Sequence, residues 1–300
     1  MFVYDNIFKN DDDIRTFIHD AETHYKKQVL DIADDVAKHD NIRFLTLAGP
    51  TCSGKTTSSY ILEQEFEKRG ISTKIISIDD FYRSRYDIAD DEEPDYESIT
   101  AIDLPCFKKC VDKILMGESA EIPVYDFVTG KREKYIAHTP SEHEIIIFEG
   151  IQAIYPEILA TLPHDVTKSI YISVDEDVLA YGTNFEKREI RFLRRLVRDY
   201  LFRSATPGRT LELWEGVVKN EDKNIIPYEK NADYIINSFL SYELGVIKSF
   251  ILHKISYDAK NSQECALHKF LQNKFQNIKE IPSQFVPSDS VFREFIGKEN

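Results

Sequence analysis

Apolar residues along the chain follow two kinds of pattern. Short continuous apolar or β-branched runs, typical of buried strands, occupy residues 42–48, 73–78, 145–149, 170–174 and 232–236. Apolar residues that recur at three- and four-residue intervals, typical of amphipathic helices, occupy residues 14–39, 57–69, 102–116, 156–162 and 185–203. Because strands alternate with helices, the pattern predicts an α/β fold whose doubly wound parallel sheet is flanked by helices.

Two further regions lie outside this alternation. Residues 121–127 have an extended pattern and are followed by the turn signal Thr129-Gly130-Lys131. Together they predict a small hairpin insert, which we expect beside the active site. The chain after residue 240 is mainly helical and is interrupted by Pro282 and Pro287. We therefore predict a helical flank over residues 1–41, a core over 42–240 and a helical C-terminal extension over 241–300 that packs on the core.

One loop between a strand and a helix carries a specific motif. Gly49, Gly54, Lys55 and Thr56 fit the pattern G-x-x-x-x-G-K-[ST], which marks a phosphate-binding loop (P-loop). The glycines allow backbone N–H groups to converge on one anion, and the helix that follows adds its N-terminal donors. Lys55 can reach the β- and γ-phosphates, and the Thr56 hydroxyl can ligate Mg²⁺. An ordinary glycine-containing turn is the alternative, but strand, loop, Lys-Thr pair and helix all favour a nucleotide site. The predicted nucleotide-binding residues are Gly49, Pro50, Thr51, Cys52, Ser53, Gly54, Lys55, Thr56 and Thr57.

Acidic and basic residues cluster at two places that this fold would bring near the loop. Asp79 and Glu149 each end a predicted strand, and ligands of parallel sheets lie beyond the carboxyl ends of strands. The helix over residues 185–203 carries a dense set of arginines, of which Arg191, Arg195 and Arg198 share one face. Helical arginines usually form a solvated face, but a site that handles several phosphate charges in an acidic protein needs cations.

Composition excludes some partners. The 300-residue chain has a formal net charge of −14, which argues against a broad nucleic-acid or anionic-membrane surface. No apolar run approaches the ~20 residues that a membrane span needs, and the first residues lack a signal-peptide core. The four cysteines form no C-x-x-C pair, so we expect reduced thiols in a cytoplasmic protein, with Cys52 as a small loop residue.

A phosphate loop by itself fits kinases, ATPases and GTPases equally. The chain has no N-K-x-D guanine-reading motif, since residues 224–227 are Asn-Ile-Ile-Pro, and it has no evident partner-sensing module of a motor or transporter. A small-molecule kinase needs an acid near the acceptor hydroxyl, and Asp79 is well placed for that role.

Five segments in order resemble the uridine kinase/phosphoribulokinase family. They are Gly-Pro-Thr-Cys-Ser-Gly-Lys-Thr-Thr (49–57), Ile-Asp-Asp-Phe-Tyr-Arg (78–83), Ile-Pro-Val-Tyr-Asp-Phe (122–127), Phe-Glu-Gly-Ile (148–151) and Arg-Arg-Leu-Val-Arg-Asp (194–199). The spacing looks closest to a bacterial-type uridine kinase-like branch, which the tail over 286–297 also resembles. The resemblance covers about residues 42–298, and it implies a P-loop NTPase-type sheet, ATP and Mg²⁺.

The resemblance implies roles for the matching residues. Asp79 matches the acid that accepts the proton of the acceptor's primary hydroxyl, and Lys55, Arg198 and Arg203 match groups that offset phosphate charge. The implied acceptor-binding residues are Tyr82, Asp95, Tyr125 and Arg195, and the implied metal ligands are Thr56, Asp79 and Glu149.

The chain also departs from the family at two positions. Gly130 stands where a histidine reads the base in uridine-cytidine kinases, and Ala205 replaces an arginine just after the lid arginine. The expected reaction is transfer of the γ-phosphoryl of ATP to the 5′-hydroxyl of a nucleoside, with uridine or cytidine favoured. A kinase for another hydroxylated metabolite, such as a sugar phosphate, and a non-catalytic ATP-binding regulatory protein are the alternatives. The sequence leaves homo-oligomerisation open.

Overall fold

The computed structural model describes residues 1–5, 8–84 and 96–298. Its strands are β1 (Phe2–Tyr4), β2 (Phe44–Ala48), β3 (Thr73–Ser77), β4 (Ala120–Asp126), β5 (Lys131–His138), β6 (Ile145–Glu149), β7 (Thr167–Ser173), β8 (Val178–Ala180), β9 (Thr183–Phe185) and β10 (Tyr234–Asn237). Its α-helices are α1 (Asp11–Val36), α2 (Lys55–Lys68), α3 (Leu104–Leu115), α4 (Pro156–Leu159), α5 (Lys187–Phe202), α6 (Pro207–Asn224), α7 (Glu243–Ser249), α8 (Ser262–Phe275) and α9 (Arg293–Ile296).

The central layer is a parallel sheet in the spatial order β10-β7-β2-β6-β3. Leu45 of β2 lies opposite Ile147 of β6 on one side and Lys168 of β7 on the other. Every residue of β2 is buried, which explains why this strand is a continuous apolar run rather than an alternating one. The five strands predicted from apolar runs are all present with slightly different ends, and the α/β fold with a parallel sheet is confirmed.

Helices cover this sheet, as the spacing predicts. The segment predicted as one or two helices over residues 14–39 is the single helix α1, which begins where the Asn10 side chain accepts a hydrogen bond from the Asp13 N–H at 3.0 Å. Inside the fold, the hydroxyls of Tyr25 on α1 and Ser58 on α2 lie 2.6 Å apart. α1 therefore packs directly on the helix that follows the phosphate loop.

The predicted hairpin is present at one edge of the sheet. β4 and β5 pair antiparallel from Ala120 opposite His138, and Gly130 turns the chain between them with a φ of 66°. The backbone N–H of Tyr125 donates to the Asp80 carboxylate at 3.1 Å. This bond joins the hairpin to the turn that follows β3, so the insert lies beside the carboxyl end of that strand.

The small sheet β1-β8-β9 does not appear among the predicted elements. Each of its strands has three residues, which is too short to show a two-residue alternation against the surrounding sequence. β1 pairs parallel with β8, and Tyr4 and Phe185 are buried in the core. The N-terminal residues are thereby joined to the middle of the chain.

The last part of the chain folds back onto the core. Val291, Phe292 and Phe295 have no exposed surface and belong to the same apolar core as α1 and α5. The division into flank, core and extension stays a prediction. Of the helices in the described part of the chain, none combines the length and apolar composition that crossing a membrane requires.

Candidate functional site

The P-loop joins the end of β2 to the start of α2. Cys52 and Gly54 adopt left-handed backbone conformations, with φ of 58° and 92°, and Lys55 is the first residue of the helix. Gly54 provides no side-chain cap for α2, so the first N–H groups of the helix receive no acceptor from the residue that precedes the helix. This arrangement suits an anion at the helix N-terminus.

Two side chains of the loop fit a bound triphosphate. The Ser53 hydroxyl is buried and makes no hydrogen bond with any described residue, so it is available to a phosphate oxygen. The Lys55 ammonium donates to the carbonyls of Gly49 and Pro50, both at 3.0 Å. Burial lowers the pKa of Lys55, while nearby carboxylates oppose that shift. An anion beside Lys55 would compensate its buried charge.

A cavity of about 750 Å³ opens beside this loop. Its walls include Thr51, Cys52, Lys55, Thr56, Asp79, Tyr82, Tyr96, Glu97, Phe127, Glu149, Gly150, Ile151, Arg195, Arg198, Arg203 and Glu294. Ten predicted site residues from four separate stretches of chain therefore line one cavity. Of the other predicted loop residues, Pro50 lines a different, smaller cavity of about 180 Å³, together with Arg191 and Glu221.

Two acids reach the cavity from neighbouring strands. Asp79 follows β3, and Glu149 is the last residue of β6, so the parallel pairing of those strands places both carboxylates at one edge of the sheet. Burial raises the pKa of Asp79, and it raises the pKa of Glu149 to about 7, in both cases against the nearby charge of Lys55. The charge of Lys55 therefore does not fully offset the two buried carboxylates of Asp79 and Glu149.

This donor set fits Mg²⁺. Thr56, Asp79 and Glu149 offer oxygen ligands, which hard divalent cations prefer, and a cation would offset the two buried carboxylates. Within residues 1–5, 8–84 and 96–298, no three His, Cys, Asp or Glu side chains are grouped closely enough to hold a metal unaided. That agrees with the habit of Mg²⁺ of binding through one or two carboxylates together with substrate phosphates.

Aromatic rings form the wall beside Asp79. Tyr82 and Phe127 lie with their centroids 6.1 Å apart, and Tyr96 lies 5.1 Å from Tyr82. The predicted residue Tyr125 stands behind this wall, where its hydroxyl lies 3.0 Å from that of Tyr96. Gln152 donates to the Tyr82 hydroxyl at 3.1 Å and to the Tyr96 backbone carbonyl at 2.6 Å, so it holds the Tyr82 ring and the Tyr96 main chain together. The predicted residue Asp95 lies outside the described residues.

Arginines of α5 separate into two sets. Arg195 and Arg198 line the cavity, as does Arg203 just beyond the helix. Arg191 instead forms two hydrogen bonds of 2.6 Å with the buried Glu221, although helical spacing places it on one face with Arg195 and Arg198. Side-chain partners, not spacing alone, thus decide which arginines face the cavity.

Sequence reasoning missed several residues of the cavity wall. Tyr96 and Glu97 come from the stretch between the predicted strand 73–78 and the predicted helix 102–116, and Glu294 comes from α9. Glu294 accepts a hydrogen bond from the Thr57 hydroxyl at 2.9 Å. The family-like tail over 286–297 was the one available signal for Glu294, but nothing local in it indicates contact with the phosphate loop.

Comparison with known proteins identifies the family. The family model described as "Phosphoribulokinase / Uridine kinase family" matches residues 44–243, which is two thirds of the chain. The chain belongs to this family.

Two curated proteins that are similar to this chain are named uridine kinases. One from Deinococcus deserti is 28% identical over 193 residues, which are 63% of this chain and 84% of the relative. One from Saccharomyces cerevisiae is 31% identical over 202 residues, which are 64% of this chain but 36% of the yeast protein. A solved structure described as a possible uridine kinase from Bacillus stearothermophilus has 17% identity and a TM-score of 0.45, covering 69% of this chain and 97% of that one.

Family membership supports an enzyme of the P-loop kinase type, which implies ATP use and a small-molecule acceptor. The β2–loop–α2 unit and the adjoining acids described above lie within the matched residues. Glu294 lies beyond them, as does most of the C-terminal part of the fold.

Proposed function

We propose that this kinase transfers the γ-phosphoryl of ATP to the 5′-hydroxyl of a nucleoside, with uridine or cytidine as the favoured acceptor. The observation that carries the proposal is the aromatic wall of Tyr82, Tyr96 and Phe127 beside Asp79. A planar base can stack on such rings, and the attached ribose would then bring its primary hydroxyl toward the carboxylate.

The chain's own groups suggest how the reaction proceeds. Asp79 orients the acceptor hydroxyl and takes its proton as the oxygen attacks the γ-phosphorus in line. Lys55, Arg198 and Arg203 offset the charge that develops on the transferring group. Mg²⁺, held by Thr56, Asp79 and Glu149, would neutralise charge on the phosphates. Positioning and electrostatics supply most of the rate in such reactions.

The arrangement favours a nucleoside over a sugar phosphate. A sugar-phosphate acceptor brings a second phosphate, which needs additional cations. Arg188 and Arg191 instead pair with Asp222 and Glu221. Arg195 remains on the cavity wall as a cation for the acceptor side. Gly130 stands where uridine-cytidine kinases have a base-reading histidine, so the test also includes sugar phosphates as acceptors.

The test is an ADP-release assay on the purified full chain with ATP, Mg²⁺ and a panel of nucleosides and sugar phosphates. We expect acceptor-dependent ADP release that is fastest with uridine or cytidine. Asp79→Asn should lower kcat by at least ~10²-fold, since it removes the proton acceptor and one metal ligand. ADP release that depends on a sugar phosphate alone would refute the nucleoside proposal. No release with any acceptor would favour the non-catalytic alternative.

A further inference from the structure

The C-terminal segment, residues 283–297, brings a carboxylate to the start of α2. Glu294 Oε2 accepts hydrogen bonds from the Thr57 hydroxyl at 2.9 Å and from the Thr57 backbone N–H at 3.4 Å. The two residues are 237 positions apart in the chain. Glu294 also lines the large cavity with Lys55 and Thr56, so it faces the same space that would hold the phosphates.

The donors that Glu294 occupies are those that a nucleotide needs. The N–H groups at the N-terminus of a helix after a phosphate loop bind phosphate oxygens, and the helix dipole favours one anion there. Gly54 has no side chain to cap α2, so Glu294 supplies the anionic acceptor from elsewhere in the chain. A carboxylate and a phosphate cannot both accept from the Thr57 N–H, and their like charges repel.

The segment that carries Glu294 is anchored on all sides. Val291 packs so closely on the loop that a Cβ atom added at Gly54 would lie 2.5 Å from its Cγ2. The ring of Phe295 lies 5.0 Å below the Arg194 guanidinium. Ser290 lies 3.0 Å from the Tyr242 hydroxyl, which itself donates to Glu22 at 2.5 Å.

These contacts leave the Glu294 side chain as the part that can move. Its neighbours Val291 and Phe295 are fully buried, whereas Glu294 itself borders the cavity. A nucleotide can therefore displace the carboxylate by rotating one side chain, without unpacking the segment.

We propose that Glu294 occupies a phosphate-binding position of the P-loop in the free protein and that bound nucleotide must displace it. The inference rests on the proposed function only in taking ATP as the ligand. The apparent affinity equals the intrinsic affinity multiplied by the fraction of molecules whose site is open. Because Glu294 lowers that fraction, it weakens binding of ATP and of other polyphosphates. It sets the nucleotide concentration at which the site fills.

The test measures dissociation constants on the full chain by isothermal titration calorimetry, with ATP and with inorganic tripolyphosphate as probes. Glu294→Gln removes the charge, and Glu294→Ala removes the acceptor as well. Both should bind each probe about tenfold more tightly than the native chain, because charge-assisted bonds are roughly twice as strong as neutral ones. Asp289→Asn is the matched control, since Asp289 lies in the same segment but pairs with Lys26 at the surface at 2.6 Å. The control should leave both constants unchanged.

The possible outcomes separate this inference from the proposed function. Unchanged or weaker binding in both Glu294 variants overturns the inference, because a displaced competitor can only tighten binding when removed. Tighter binding together with no acceptor-dependent turnover in the native chain supports the inference and refutes the proposed function. If the native chain binds neither ATP nor tripolyphosphate, both fail. In active protein, Glu294→Gln should lower KM for ATP and leave KM for the acceptor unchanged.

Discussion

Two sets of arginines on and beside one helix, α5, have different surroundings. Arg191 and Arg194 each meet their own buried carboxylate, Glu221 and Glu243, through paired hydrogen bonds of 2.6–2.9 Å. Arg195, Arg198 and Arg203 share a single carboxylate, that of Asp199. The first set is balanced in charge, whereas the second leaves positive charge in the cavity.

The difference shows how the same residue type divides between packing and chemistry. Arg194 and Glu243 have no exposed side-chain surface, and Arg194 also donates to the Cys52 carbonyl at 3.2 Å, so this pair holds the P-loop in place. In the second set, burial and the positive charge of Arg198 lower the pKa of Arg203. Uncompensated cations of this kind are what a triphosphate needs.

The buried pair should give the largest effect. Arg194→Ala leaves the Glu243 carboxylate buried without its guanidinium, and we expect a loss of about 3–5 kcal/mol in unfolding free energy, measured by urea denaturation. The double variant Arg194→Met, Glu243→Leu should regain much of that loss, since neither charge remains. A loss below about 1 kcal/mol in the single variant would contradict a structural role.

Arg198 tests the other set. Arg198→Ala should lower kcat about 10²-fold, equal to about 2.7 kcal/mol of transition-state stabilisation, because in the proposed mechanism it removes a cation that would offset charge on the transferring phosphoryl group. The unfolding free energy should change by less than about 1 kcal/mol, since Arg195 still pairs with Asp199. Arg198→Lys should restore part of the rate. A variant that loses stability but not rate would reverse the assignment.

Arg195 should give a smaller effect, on the acceptor. Arg195→Ala should raise KM for the acceptor about tenfold, near 1.4 kcal/mol, and should leave KM for ATP unchanged. Steady-state kinetics with each substrate varied separately measures both. An equal rise in both KM values would place Arg195 on the phosphates of ATP instead.

Arg188 gives the smallest effect and serves as a baseline. Its guanidinium donates to Asp222 at 2.6 Å, but both side chains are partly exposed. Arg188→Ala should change the unfolding free energy by about 0.5 kcal/mol or less and should not alter kcat, since surface ion pairs are screened by water and salt. Urea denaturation at low and high salt measures the contribution of this ion pair to the unfolding free energy. A loss as large as that of Arg194→Ala would remove the distinction between exposed and buried pairs.

The parts of the fold that repeat a local pattern are predictable from the sequence. β2, β6 and residues 170–172 of β7 are mainly apolar runs because they are covered on both faces, and α5 shows helical spacing over its whole length. β1, β8 and β9 were missed because three residues carry no measurable period. The pairing of β1 with β8 depends on contacts between residues about 175 positions apart, such as Phe2 with Val178.

The candidate site, like the fold, has some parts that local sequence patterns predict and other parts that they do not. The P-loop and the acids that end strands follow from local motifs and from the geometry of parallel sheets. Helical spacing groups Arg191 with Arg198, but the partner Glu221 comes from another helix and takes Arg191 out of the cavity. Glu294 reaches Thr57 only because the C-terminal segment folds back, and no local pattern encodes a contact of that range.

The close approach of Val291 to Gly54 bears on how the molecule matures during translation. Synthesis delivers residues 49–57 early and the packing partner of Gly54 more than two hundred residues later. A nascent chain can form β2 and α2 as its first half emerges, since chains fold progressively from the N-terminus. The loop still lacks this packing partner until the ribosome has passed residue 291, so the two sides of the Gly54 contact assemble only after more than two hundred intervening residues have been made.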